Sequence, residues 1–96
     1  MTSKQRAYLK SQAMTMDAIY QVGKSSLTPE LIEGIREAID KRELIKVSVL
    51  NNCFDDPKEL ATIIAERTHS QLVQVIGKKI VLFKQAKENS KYELPR

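Results

Sequence analysis

The chain predicts an α/β fold: a two-layer sandwich in the order αβαβαββ, with a four-stranded mixed sheet. Three observations carry this. Apolar residues recur at spacings of three and four over 29–42 and again over 57–69, the pattern of helices buried on one face. Short runs rich in β-branched residues at 44–50, 71–76 and 79–85 have the composition of strands. Between the last two runs lies Gly77-Lys78, a two-residue connection with the glycine that a tight antiparallel hairpin needs. Ninety-six residues, 42% of them hydrophobic, suit one domain spanning 1–96.

Taken in order, residues 3–13 lack Pro and Gly, and Tyr8, Leu9 and Ala13 share one helical face, with Arg6 and Lys10 one turn apart on the other. A helix of eleven residues is too short to stand alone, so it must dock. Residues 16–22 follow as a first strand, Ala18, Tyr20 and Val22 alternating with Asp17, Ile19 and Gln21, and it stops at Gly23. Thr28 then serves as N-cap with Pro29 at the first helical position, where a missing N–H costs nothing. The second helix runs to about Arg42. Its stripe of Leu31, Ile32, Ile35, Ala38 and Ile39 faces the core, and Glu30, Glu33, Glu37 and Asp40 form an acidic ridge opposite.

The second strand, 44–50, places Ile45, Val47 and Val49 on the core face and Leu44, Lys46 and Ser48 on the other. Asp56-Pro57-Lys58-Glu59 reads as N-cap, Pro and capping-box Glu at the start of a third helix, 57–69, whose inner face is Leu60, Ala61, Ile63, Ile64 and Thr68. Right-handed crossovers put helices two and three on one side of the sheet. In the hairpin, Val73, Val75, Val81 and Phe83 are expected to face those helices, leaving Leu72, Ile76, Ile80 and Leu82 on the second face with Gln74 and Lys84. That second face needs cover from the first helix, from Tyr92 and Leu94 of the tail, or from a partner.

Sixteen Lys and Arg against twelve Asp and Glu give a net charge of +4, unevenly spread. Residues 28–69 hold six basic and nine acidic side chains; residues 1–27 hold four against one, and residues 70–96 six against two. The two ends should converge as a basic side, a footprint that suits nucleic acid. The single cysteine, Cys53, excludes an internal disulfide and reads as a small buried hydrophobe. His69, the one histidine, falls at the end of the third helix and reads as a helix-end residue. Gly23, Gly34 and Gly77 are too scattered for a nucleotide-binding glycine motif. No apolar run approaches the ~20 residues of a membrane span. A non-enzymatic cytoplasmic protein is expected, with no cofactor, metal, membrane partner or small-molecule substrate.

The candidate site is the loop Gly23-Lys24-Ser25-Ser26, which brings a charge, two hydroxyls and flexible backbone to the N-terminal end of a helix, an arrangement that suits phosphate. The same four residues also serve as a plain strand-to-helix turn. Arg6, Lys10, Lys78, Lys79 and Lys84 would extend a basic surface, with Lys4 at its margin.

Lys4-Gln5-Arg6 with Leu9, the Gly23-Lys24 loop, Glu43-Leu44-Ile45-Lys46-Val47, Gln74-Val75-Ile76-Gly77-Lys78, Val81-Leu82-Phe83 and the closing Leu94-Pro95-Arg96 stand in an order that resembles the CRM family. This is the chloroplast RNA splicing and ribosome maturation domain, and the likeness is to its single-domain bacterial YhbY-type members. The resemblance implies a sheet like that of the C-terminal domain of translation initiation factor 3, with strand order 1-2-4-3 and the fourth strand antiparallel. It further implies RNA binding and association with ribosomal RNA of precursor large ribosomal subunits, as an aid to their assembly. Family members carry a GxxG loop; here Ser26 stands in the place of the second glycine, and serine reaches positive φ less cheaply than glycine. An alternative follows from the apolar second face: a protein-interaction module docking through Leu72, Ile76, Ile80 and Leu82.

Overall fold

The computed structural model describes residues 1–96. The seven elements come in the expected order: α1 (Ser3–Ala13), β1 (Tyr20–Val22), α2 (Pro29–Arg42), β2 (Leu44–Val49), α3 (Pro57–Thr68), β3 (Gln71–Ile76) and β4 (Lys79–Phe83). They form one mixed sheet of order β1-β2-β4-β3, with β1 parallel to β2 and β4 antiparallel to both its neighbours. No helix is long and apolar enough to cross a membrane.

Helix starts follow local chemistry. Thr28 Oγ1 accepts the Leu31 N–H at 3.1 Å, and Asp56 Oδ1 accepts the Lys58 N–H at 3.1 Å. α1 has a reciprocal capping box as well: Thr2 Oγ1 accepts from Gln5 N–H, and Gln5 Oε1 accepts from Thr2 N–H. The first strand is shorter than 16–22. Met16 N–H still bonds Ala13 O as the chain leaves α1, and only Ile19 onward meets β2, through Ile19 N–H to Lys46 O at 2.9 Å.

α2 and α3 lie together on one face, where Ile32, Ile35, Ile39, Leu60, Ala61 and Ile64 pack on Val22, Ile45, Val47 and Val49. The β4 faces are the reverse of the expected ones. Ile80 and Leu82, both fully buried, join this α2/α3 core with Leu72 and Val75, while Val81 and Phe83 face α1. The register gives the reason: Leu82 pairs with Ile45 and Ile80 with Val47, so they share the face of those residues. Within β3 a bulge between Leu72 and Gln74 leaves Val73 without a partner of its own. This extra residue puts both Val73 and Gln74 on the α1 face and allows Leu72 and Val75 to point the other way.

α1 covers part of the second face, as expected. Leu9 and Ala13 are buried against Leu44, Val73, Val81 and Phe83, with Tyr8, Tyr92 and Leu94 around them. An apolar docking face made of Leu72, Ile76, Ile80 and Leu82 therefore does not exist, since only Ile76 of the four is exposed.

Glu43 fastens the tail to this core. It ends α2 with φ +67°, its N–H bonded to Ile39 O and its carbonyl accepting from Lys84 N–H at 2.8 Å. Its buried carboxylate accepts from Ala86 N–H (3.0 Å), Ser90 Oγ (3.1 Å) and Lys91 N–H (3.0 Å). The Tyr92 ring then stands edge-on to Phe83 at 5.9 Å. Burial, and then the neighbouring Glu43 carboxylate and Tyr8 phenol, raise the Tyr92 phenol above its ordinary value of 10.0. The fold thus favours the neutral phenol, and the stability it contributes is intact below pH 10.0 and lost as pH climbs through the raised value. Tyr92→Phe should remove this alkaline loss, checked by comparing unfolding midpoints of the two proteins over the alkaline range; identical alkaline profiles would assign it elsewhere.

Candidate nucleic-acid interface

Three connections meet at one end of the sheet. β1 and β2 are parallel and finish there, and the β3–β4 hairpin turns there. Leu50 N–H bonds Val22 O at 2.9 Å and Val49 N–H bonds Lys78 O at 2.7 Å. The Asn51–Asn52 turn braces both neighbours: Lys78 Nζ donates to Asn51 Oδ1 at 2.9 Å, and Asn52 lies against Gly23. Lys24 and Lys78, 54 positions apart in sequence, are thereby presented around one small polar turn.

The loop itself is a tight turn closed by Ser26 N–H on Gly23 O at 2.9 Å. Its left-handed residue is the serine, at φ +56°, whereas Gly23 has no positive φ and has room for a Cβ at ordinary contact distance from Leu50 and Asn52. Ser26 thus takes up the left-handed conformation that glycine reaches more cheaply, and its hydroxyl donates to the Asp55 carboxylate rather than standing free. Lys24 and Ser25 are exposed and unpaired.

Ser26→Gly should remove a left-handed cost of about 1 kcal/mol and lose a hydroxyl bond of similar worth. Stability should therefore stay within about 1 kcal/mol and RNA affinity should be preserved. Thermal unfolding and an RNA titration check this; a large loss of affinity at unchanged stability would give the hydroxyl a direct contact.

The remaining predicted residues divide. Lys79 lies beside the hairpin turn, its Nζ 3.0 Å from Ser48 Oγ. Lys4 and Lys10 are exposed on α1, which packs on the opposite sheet face from α2. Arg6 is partly committed to the fold: its Nη1 donates to Leu72 O (3.4 Å) and Val73 O (3.2 Å), the carbonyls at the bulge of edge strand β3. Lys84 does not belong to the basic surface. Because β4 presents Ile80 and Leu82 toward α2 and α3, Lys84 follows onto that side and pairs with Asp40 at 2.7 Å. The basic ends thus converge only in part.

Two features escaped the sequence. Lys46 stands half-buried on the α1 face of the sheet without an acidic partner, and its place opposite Ile45 and Val47 was its only signal. Phe54 is 95% exposed although Cys53 beside it is buried, because the turn points neighbours in opposite directions. It sits one residue before Asp55, so an open aromatic ring flanks the Gly23–Ser26 loop. His69 caps α3 through its backbone in the left-handed conformation.

A basic, turn-built end on a 1-2-4-3 sheet invites comparison with proteins of known architecture. The solution structure of SAV1595 from Staphylococcus aureus superimposes with a TM-score of 0.84 at 49% identity, over 99% of both chains. The "Probable RNA-binding protein YqeI" of Bacillus subtilis is 47% identical over 95 residues, 99% of each chain. A protein of Haemophilus influenzae named "RNA-binding protein" is 30% identical over 96 residues, all of this chain and 96% of that one. The model of the CRS1 / YhbY (CRM) domain matches residues 1–84, which take in the loop, the hairpin and every strand of the sheet. By sequence and by fold, this chain belongs to the CRS1 / YhbY (CRM) domain family.

Proposed function

We propose that the protein is a non-catalytic, cytoplasmic RNA-binding module that engages structured ribosomal RNA in a precursor large subunit and assists its assembly. The observation that carries this is the bracing of the Lys24 loop and the Lys78–Lys79 turn on the single Asn51–Asn52 turn. Lysines held on two short, tied connections meet a phosphate backbone with little ordering cost. An ammonium has three donors, so Lys78 and Lys79 can each keep one intramolecular bond and still offer others to phosphate. Names of relatives as RNA-binding proteins support the RNA-binding part of this reading.

Phosphate contacts and shape would supply affinity, with the Phe54 ring available to stack one unpaired base. Crosslinking the protein to RNA in cells and sequencing the attached fragments tests the proposal. Fragments concentrated in large-subunit ribosomal RNA are expected. Fragments spread over messenger RNAs in proportion to their abundance would overturn the ribosomal part.

A further inference from the structure

The α1 face of the sheet is only partly covered. Its side chains lie in rows set by the register: Leu44 beside Phe83, then Lys46 beside Val81 and Gln74, then Ser48 beside Lys79 and Ile76. α1 packs Leu9 and Ala13 over Leu44, Phe83, Val73 and Val81 and ends at Ala13. Beyond its end an open groove of ≈ 330 Å³ remains.

Buried Ala13 and Val81 form its apolar base, and Met14 and Ile76, 78% and 59% exposed, stand at its edges. Lys10 and Lys46 also line it, no acidic residue does, and neither lysine belongs to either of the molecule's two ion pairs. Gln74 adds an amide able both to donate and to accept.

We propose that this groove holds a single unpaired nucleotide of the bound RNA, an inference that rests on the RNA-binding function proposed above. The chemistry fits a nucleotide part by part. An apolar base with flanking Met14 and Ile76 receives the face of a nucleobase, Gln74 meets its hydrogen-bonding edge, and Lys10 and Lys46 take the adjoining phosphates. The volume lies at the small end of ligand sites, about 300–1,000 Å³, which suits one nucleotide. Bases in a duplex are stacked and cannot enter, so the occupant is single-stranded. Across the sheet, the row of Ser48, Lys79 and Ile76 leads from the groove to the Lys78 turn, which lets one strand run between the two sites.

The test is fluorescence anisotropy with a short single-stranded RNA of mixed sequence, and with the same sequence as a duplex, over a range of salt. The double variant Met14→Ser with Ile76→Ser should bind the single strand about tenfold more weakly, the order of one lost stacked base, and leave its salt slope and duplex affinity unchanged. Lys46→Ala should lower the single-strand slope by about 0.7. Lys46→Gln, which keeps much of the side-chain stem, should do the same, and thermal unfolding confirms that each variant is folded. Wild-type affinity for the single strand in both the Ser double variant and the Lys46 variants would overturn the groove site alone. Equal losses for single strand and duplex in the Ser double variant would overturn it too. A wild-type protein that binds neither RNA would overturn the groove and the proposed function together.

Discussion

Glu43→Ala is expected to lower the unfolding free energy by about 3 kcal/mol and to release residues 86–92 from the sheet. The carboxylate is buried and accepts three hydrogen bonds, two of them from backbone N–H groups of the tail. Bonds to a charged acceptor are the stronger kind, and truncation leaves their donors unpaired beside an apolar cluster. The loss is bounded because the freed tail can turn its N–H groups to water. Glu43→Gln should cost less, about 1–2 kcal/mol, since one oxygen remains while the amide faces donors it cannot accept from. Chemical denaturation gives the free energies and amide exchange of residues 86–91 locates the release. A Glu43→Ala protein of wild-type stability with a protected tail would show that Phe83 and Tyr92 hold the segment without it. The positive φ of Glu43 fits the same account, because a costly conformation persists only where contacts on several sides enforce it.

The second large effect concerns binding. Lys24→Ala combined with Lys78→Ala and Lys79→Ala should weaken RNA affinity by about 30- to 100-fold and lower the salt slope by about two to three units, at roughly 0.7–0.9 per neutralised phosphate. Stability should change little, because Lys24 has no partner, Lys78 bonds only to exposed Asn51, and the one part-buried bond lost is that of Lys79 to Ser48. Lys84→Ala supplies the contrast: its charge is already offset by Asp40, so affinity and slope should remain those of the wild type. RNA titrations at several salt concentrations decide between them. A steep slope retained by the triple variant would move the phosphate contacts away from this end of the sheet.

Much of the fold could be read from local chemistry, since caps at Thr28 and Asp56, prolines at first helical positions and the Gly77 turn act within a few residues. The faces of β4 could not. Ile80, Val81, Leu82 and Phe83 are all apolar, so the alternation fits either phase, and the bulge at Val73 changes the phase within β3 without any mark in the sequence. This one inversion explains both the apolar docking face that is absent and the placing of Lys84 beside Asp40. The exposure of Lys24 and Lys78 could be read from the sequence, because turns present them. The structural bonds of Arg6 and Glu43 could not, because their partners lie 66–67 and 43–48 residues away and only the folded chain brings them together.

RNA is proposed to meet the end of the sheet where the Lys24 loop and the Lys78 turn share the Asn51–Asn52 brace. The most direct test is to titrate the isotope-labelled protein with RNA and follow each backbone amide by nuclear magnetic resonance. Shifts at Gly23–Ser26, Asn51–Phe54 and Gly77–Lys79, with the exposed side of α2 unaffected, are the predicted result. Shifts confined to the acidic ridge of Glu33, Glu37 and Asp40, with those three turns unmoved, would contradict it.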